Sequence, residues 1–347
     1  MASVADDGGF EPARAKETTM KAIVQDTYGG TEVLALREID KPAIASDQVL
    51  VAVEAAGVDQ GVWHLMCGLP YMVRIMGFGL RAPKLPVRGT EVAGRVEAVG
   101  STVTRFRPGD EVFGVCEGSF AEYARAREDR LAPKPSNVTF DQAAAVPVSG
   151  GTALHSVRDR GELEAGQRAL IIGAGGGVGT FAVQLAKAFG AHVTGVCSGR
   201  KAELVRSIGA DQTIDYTRED FADARRQFDV IVDTAGRRSL SHLGRALTPR
   251  GTLVIVGGEG GGPWTGGFGR QILRAPLLSL FVGQRLRPVT YEEGAEDLEA
   301  LRARIEAGEV TPVVGRTFPL ADAAEAIRFM HDGGAGGKVV LSVGSGP

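Results

Sequence analysis

Residues 168–191 read RALIIGAGGGVGTFAVQLAKAFGA, and few local patterns limit a fold as tightly. A short apolar run, Ala169 to Ile172, enters a glycine-rich loop and passes straight into a stretch whose apolar residues recur at helical spacing. A strand that hands over to a helix through glycines is half of a βαβ unit. The rhythm continues downstream, where AHVTGVC, KAELVRSIG, FDVIVDTAG, LSHLGRAL and GTLVIVGG alternate strand-like with helix-like segments. Strands made almost wholly of Val, Ile and Leu are buried on both faces, so this part predicts a doubly wound parallel sheet covered by helices.

The chain before Phe140 has a different texture. MKAIVQ, QVLVAVEAAGV and EVAGRVEAVG are β-like runs separated by turn residues such as Pro108-Gly109-Asp110. The whole therefore reads as an α/β protein, with a mostly sheet unit preceding a dinucleotide-binding type of unit. After it come a helix within 291–308, the strand-like TPVVGRTF, a helix over 321–331 and a closing strand, GKVVLSV. That last strand can extend the parallel sheet or return to the first unit.

Composition narrows the partners. With 347 residues, 44% hydrophobic and 23% charged, the chain has the usage of a folded protein rather than a disordered or fibrous one. A net charge of -3 supplies no global positive field for nucleic acid. The three cysteines, Cys67, Cys116 and Cys197, form no CxxC pair and support neither a disulfide framework nor a four-cysteine zinc site. Residues 1–19 are polar and carry Asp6, Asp7 and Glu11 where a secretory signal would be apolar. No apolar run approaches the ~20 residues that span a bilayer. A cytoplasmic protein with a disordered tail over 1–19 and no membrane span is expected.

The glycine loop points to a dinucleotide. Glycines let a backbone approach a pyrophosphate, and the free N–H groups and positive dipole at a helix start bind it. In the usual GxGxxG register, Gly176 and Gly179 fall in place and Ala174 stands for the first glycine, with Gly177 and Val178 between. A ligand-free glycine turn would use the same letters, but the surrounding βαβ frame favours the cofactor. About 20 residues on, an acid would hold the ribose of NAD. This chain has VCSGRK there: Ser198 replaces the acid and Arg200 and Lys201 follow, which suits the 2′-phosphate of NADPH. The alternative is that both cations are solvated charges opening the next helix.

The assembled pattern resembles the medium-chain dehydrogenase/reductase superfamily, in its zinc-independent quinone oxidoreductase-like branch. The resemblance rests on GTEVAGRVEAVG (Gly89, Glu91, Gly94, Val96, Val99, Gly100), PGDEVFG, GSFAEYA, AAAVPVSGGTAL, AGGGVG, GADQTIDYT and GKVVL, and it covers nearly all the chain from Met20. It implies a GroES-like β-rich catalytic domain over 20–145, a Rossmann NADP-binding domain over 146–287, and a return to the catalytic domain over 288–347. It also implies a homodimer and an active site between the domains. It further implies cofactor contacts at Thr152, Tyr216, Gly257, Phe281, Val282, Gly283 and Lys338.

Zinc-dependent relatives resemble one another in a Cys after AAGV and a His before the hallmark Glu. Here Asp59 and Thr90 stand at those places, so no metal site is expected. Hydride donation to an acceptor that is already electrophilic, a quinone or an α,β-unsaturated carbonyl, needs only positioning and a proton. Where the branch has Asn-x-x-Asp and Gly-x-Tyr, this chain has AAGVDQGVWHLMCGLPYM. Tyr71 and Asp59 become the catalytic candidates, with Trp63 and His64 as pocket wall for a small hydrophobic substrate; an aromatic merely packing the cleft explains Tyr71 equally well. An enoyl-thioester reductase and an NADPH-binding protein without turnover are the alternatives. Segments 72–88 and 263–288, apolar and cationic, read either as a hydrophobic mouth to the cleft or as an interface or solvated loop.

Overall fold

The parallel sheet has its strands in the order Gln212–Asp215, His192–Cys197, Arg168–Ile172, Phe228–Asp233, Leu247–Ile255 and Arg285–Pro288, and all five of its pairings are parallel. The structure, a computed structural model, describes residues 18–223, 227–258, 262–279, 282–289 and 294–344. Most of the tail expected over 1–19 lies outside these residues, as does Phe281.

In chain order, β1 (Thr19–Val24) and β2 (Ala35–Asp40) pair antiparallel. β3 (Gln48–Val58) leads to α1 (Gln60–Cys67), whose first turn is capped by the side chain of Asp59, and to the short α2 (Tyr71–Val73). β4 (Glu91–Val99), β5 (Glu111–Val115), β6 (Tyr123–Arg127) and β7 (Leu131–Pro133) complete the first half. α3 (Phe140–Ala144) opens on a reciprocal cap between Thr139 and Gln142, and α4 (Pro147–Leu154) opens on a proline whose missing N–H is no loss in a first turn.

The second unit runs β8 (Arg168–Ile172), α5 (Gly177–Ala188), β9 (His192–Cys197), α6 (Ala202–Ser207), β10 (Gln212–Asp215), β11 (Phe228–Asp233), α7 (Leu240–Arg245), β12 (Leu247–Ile255), α8 (Gly266–Ser279) and β13 (Arg285–Pro288). Its strand order reverses between β8 and β11, the place where open parallel sheets leave a crevice at their carboxyl ends. The remaining elements are α9 (Ala295–Glu306), β14 (Val314–Pro319), α10 (Ala323–His331) and β15 (Lys338–Ser342).

β15 settles the choice left open by the sequence. It pairs antiparallel with β3, Val339 opposite Val58, and carries β14 on its other side. The first sheet is thus β14-β15-β3-β4-β5-β7, with β6 also paired to β3. One apolar cluster runs through both units, joining Ala93 and Phe113 of the first sheet to Leu154, Ile171 and Phe181 of the second. Fully burying a side chain such as Phe181 contributes about 2–3 kcal/mol, so the two units are held face to face rather than tethered.

Candidate active site

β8 ends at Ile172, and the turn into α5 is made by Gly173, whose φ of +81° is a conformation that disfavours side chains. The tight turn therefore falls one residue before the Ala174 that the motif register selected. Ala174 is fully buried, packed toward Gly195 of β9, and takes no part in lining the cleft; Gly173, Gly175 and Gly176 do. Gly179 serves packing: a methyl there would stand 2.1 Å from the Gly173 carbonyl oxygen. Val178 is half-buried against the core, and Gly177 faces Ser149 and Lys338. No side chain caps α5 at Gly176, so its first N–H groups and dipole are left for an anion.

Above this loop opens a cleft of about 570 Å³ lined by the carboxyl ends of β8, β9 and β11. Ser198, Arg200, Lys201 and Tyr216 line it, and so do Arg237 and Arg238, which the sequence reading passed over. The overlooked signal is the turn Asp233-Thr234-Ala235-Gly236-Arg237-Arg238 at the end of β11, beside the strand-order reversal. Asp233 is buried and its Oδ1 accepts from the Ala235 and Gly236 N–H groups at 3.1 and 3.0 Å. Burial raises its pKa above the usual carboxylate range.

Arg200 is exposed and Lys201 half-buried, and both side chains have partners. Arg200 Nη2 donates to the Gly333 carbonyl at 2.8 Å, and Lys201 Nζ donates to that of Ala335. Burial lowers the Lys201 pKa, with Arg200 next to it adding to the effect. The 333–337 loop also touches the glycine loop directly, Gly337 N–H to the Gly175 carbonyl at 3.1 Å. The cleft is thereby closed by the segment that leads back to the first sheet.

Several sequence candidates sit elsewhere. Val282 and Gly283 precede β13, and a methyl at Gly283 would meet the Pro249 carbonyl oxygen. Because β13 is parallel to β12, this is the amino end of the sheet, opposite the cleft. The cleft end of β13 is Pro288 and Val289, the latter bonded to the Ile255 carbonyl at 2.9 Å. Gly257 lies at that end but is pressed onto the Thr234 carbonyl and does not line the cleft. Thr152 is half-buried on α4, its carbonyl accepting from Ser156. Lys338 is 2% exposed, its ammonium is enclosed by Glu91 and by Ser149 Oγ at 3.1 Å, and it does not line the cleft.

The catalytic candidates are dispersed as well. Asp59 accepts from the Val62 N–H at 3.0 Å as the α1 cap. Trp63 stacks on His331 with centroids 3.7 Å apart and planes 11° from parallel, and His331 lines the cleft. His64 Nδ1 is 2.9 Å from the Leu69 carbonyl oxygen. Tyr71 is 36% exposed, edge-on to Trp264 at 5.4 Å, with its N–H bonded to the Pro263 carbonyl at 2.7 Å. Segments 72–88 and 263–288 meet beside it, where the Met72 N–H donates to the Trp264 carbonyl at 3.1 Å, although Arg285 and Arg287 pair with Glu162. A second cavity of about 360 Å³ is lined by Val62, Leu65, Phe78, Arg88, Thr90 and Cys116 among others, and by none of Asp59, Trp63, His64 and Tyr71. Among the described residues no three His, Cys, Asp or Glu side chains cluster as metal ligands, and no helix is long and apolar enough to cross a membrane.

Known proteins share this arrangement. A family model described as alcohol dehydrogenase GroES-like domain matches residues 45–136, and one described as zinc-binding dehydrogenase matches 208–341. The chain is 36% identical to the NADPH-dependent alkenal/one oxidoreductase of Arabidopsis thaliana chloroplasts, over 93% of this chain and 79% of that one. It is 33% identical to the quinone oxidoreductase of Mus musculus, over 93% and 97%. The solved quinone oxidoreductase from Coxiella burnetii superposes with a TM-score of 0.82 at 28% identity, covering 94% of this chain and all of that one (100%).

Proposed function

Since the chain belongs to the medium-chain dehydrogenase/reductase superfamily, in its quinone oxidoreductase-like branch, we propose that it is an NADPH-dependent oxidoreductase reducing quinones or α,β-unsaturated carbonyls. The observation that carries the cofactor choice is the cleft lining, which includes Ser198, Arg200, Lys201, Arg237 and Arg238, with Ser198 rather than an acid following β9. Cations and a hydroxyl favour a 2′-phosphate that an Asp or Glu would repel.

The residues present fit the dinucleotide. The uncapped start of α5 and the bare backbone of Gly175 and Gly176 would hold the pyrophosphate, and Arg200 and Lys201, now bonded to carbonyls, would supply the cations for a phosphate. NADPH, when bound, supplies the hydride. With Tyr71 on an exposed rim, the proton that completes the reduction comes from solvent. Asp59 is engaged in capping α1 and Thr90 is no zinc ligand, so carbonyl activation by zinc is not part of the proposed chemistry.

The test is NADPH oxidation by EDTA-treated protein offered a simple quinone and a 2-enal in parallel, with NADH as control. Turnover of either acceptor, NADPH preferred, supports the reading. Demonstrated NADPH binding with no acceptor reduced would replace it with a non-catalytic role.

A further inference from the structure

The second cavity contains a charge without a counter-charge. Arg88 directly precedes the hallmark turn at Gly89, and its side chain is only 6% exposed. One terminal nitrogen donates to the Leu85 carbonyl, while Nε–H has no acceptor. Among the described residues no carboxylate pairs with it. Burial works against its charge, yet a guanidinium cannot shed its proton at any ordinary pH. A buried cation of this kind is stable only where an anion or a set of acceptors completes it.

The surroundings are those of a binding site. Arg88 lines the cavity of about 360 Å³ with Val62, Leu65, Phe78, Leu85 and Cys116, an apolar wall. Lys84, exposed, lines it too. The one acid among the lining residues is Glu117, already paired to Arg125 at 2.7 Å. Cys116 is buried, which raises its thiol pKa far above neutrality, so it adds no negative charge. The lining therefore presents hydrocarbon, two cations and no free anion.

We propose that this cavity binds an apolar monoanion, a carboxylate carried on a hydrocarbon body, with Arg88 as the anchor and Lys84 as the cation at the mouth. No residue lines both this cavity and the nucleotide cleft, so the proposal does not depend on the activity assigned above. It gives a role to an arginine that nothing in the nucleotide cleft requires, and it places hydrocarbon recognition on Val62 and Leu65 of α1.

The experiment is isothermal titration calorimetry of the full chain, without cofactor, using octanoate and its neutral isostere octanamide at pH 7. Octanoate is expected to bind at least about tenfold tighter than octanamide. In Arg88→Met that preference is expected to vanish while octanamide affinity and the circular dichroism spectrum stay unchanged, with Arg88→Lys in between. Equal affinities for the two probes, no octanoate binding by the unsubstituted protein, or an Arg88→Met that keeps the preference would overturn the proposal. The comparison of the two probes on the unsubstituted protein stands even if Arg88→Met fails to fold.

Discussion

Lys338 and Glu91 form an ion pair in which the residues are 2% and 0% exposed, joining the first residue of β15 to the first of β4 directly beneath the glycine loop. Glu91 Oε1 also accepts from the Val148 N–H at 2.9 Å, and Lys338 reaches Ser149 at 3.1 Å, so the pair ties both strands to the start of α4. A methyl at Gly177 would stand 3.4 Å from Lys338 Cδ, which puts the pair one atomic layer from the cofactor loop.

Removing one partner leaves the other buried without its counter-charge. Lys338→Met is expected to lower unfolding stability by about 1–3 kcal/mol, since Glu91 is left a buried, unpaired carboxyl that must take up a proton, whereas Glu91→Leu combined with Lys338→Met loses less than Lys338→Met alone, because no orphan polar group remains. A double-mutant cycle in urea measures this. Additive single losses would show that the pair is not the coupled unit described.

The same carboxyl gives a pH signature. Burial raises the Glu91 pKa from 4.5 to about 7, with Lys338 pulling the other way. Between those limits the folded chain holds a proton that the unfolded chain has released, so stability falls as pH rises, by at most ~1.4 kcal/mol per unit for one group. Glu91→Gln should flatten this part of the stability curve. An unchanged slope in the variant would assign the pH dependence to other groups.

The contrast between Lys338 and the glycine loop shows which parts of the protein were legible in its sequence. The loop and the strand–helix alternation are local patterns, and they appear at β8, α5 and β9 as the letters suggest. Val282 and Gly283 were misplaced because helix α8, Gly266–Ser279, was not recognised, and the strand comes after it at Arg285–Pro288 with its cleft end at Val289. Arg88 counted as one of several cations in an apolar segment, since burial of a single arginine leaves no periodicity to read. Trp63 and His64 sit on a helix whose other face, Val62 and Leu65, lines the cavity; a one-residue rotation about α1 decides that and composition does not.

Gly179 and Gly177 are two residues apart and predict opposite outcomes. A methyl at 179 would stand 2.1 Å from the Gly173 carbonyl oxygen and 2.8 Å from Ala174 Cα, backbone atoms that cannot step aside without moving the loop. Gly179→Ala should lower thermal stability by about 1–3 kcal/mol and weaken NADPH binding more than about tenfold. At 177 the nearest atoms are side-chain ends at 3.2 and 3.4 Å, so Gly177→Ala should change stability by less than about 1 kcal/mol, helped by the helix propensity of alanine. Equal losses in the two variants, by calorimetry and cofactor titration, would contradict this packing account.

Tyr71 is placed by its backbone and by Trp264 rather than by a reacting group. Tyr71→Phe keeps the ring against Trp264 and removes only the hydroxyl. Steady-state kcat is expected to stay within about threefold, because general-acid groups usually contribute at least ~100-fold. A loss of that larger size, with unchanged KM for NADPH, would return the phenol to the reaction.

The cofactor preference depends on cations that also serve the fold. Arg200 and Lys201 hold the Gly333 and Ala335 carbonyls, so replacing them removes phosphate partners and loosens the loop over the cleft. The two effects separate by cofactor: NADH lacks the 2′-phosphate and senses only the loop. Arg200→Ala with Lys201→Ala should lower kcat/KM for NADPH by roughly 30-fold or more, on the scale of two charge-assisted hydrogen bonds, and for NADH by only a few-fold. If the NADPH/NADH ratio were unchanged while both activities fell together, the pair would be a clasp on the 333–337 loop alone, and discrimination would pass to Arg237 and Arg238 on the other wall of the cleft.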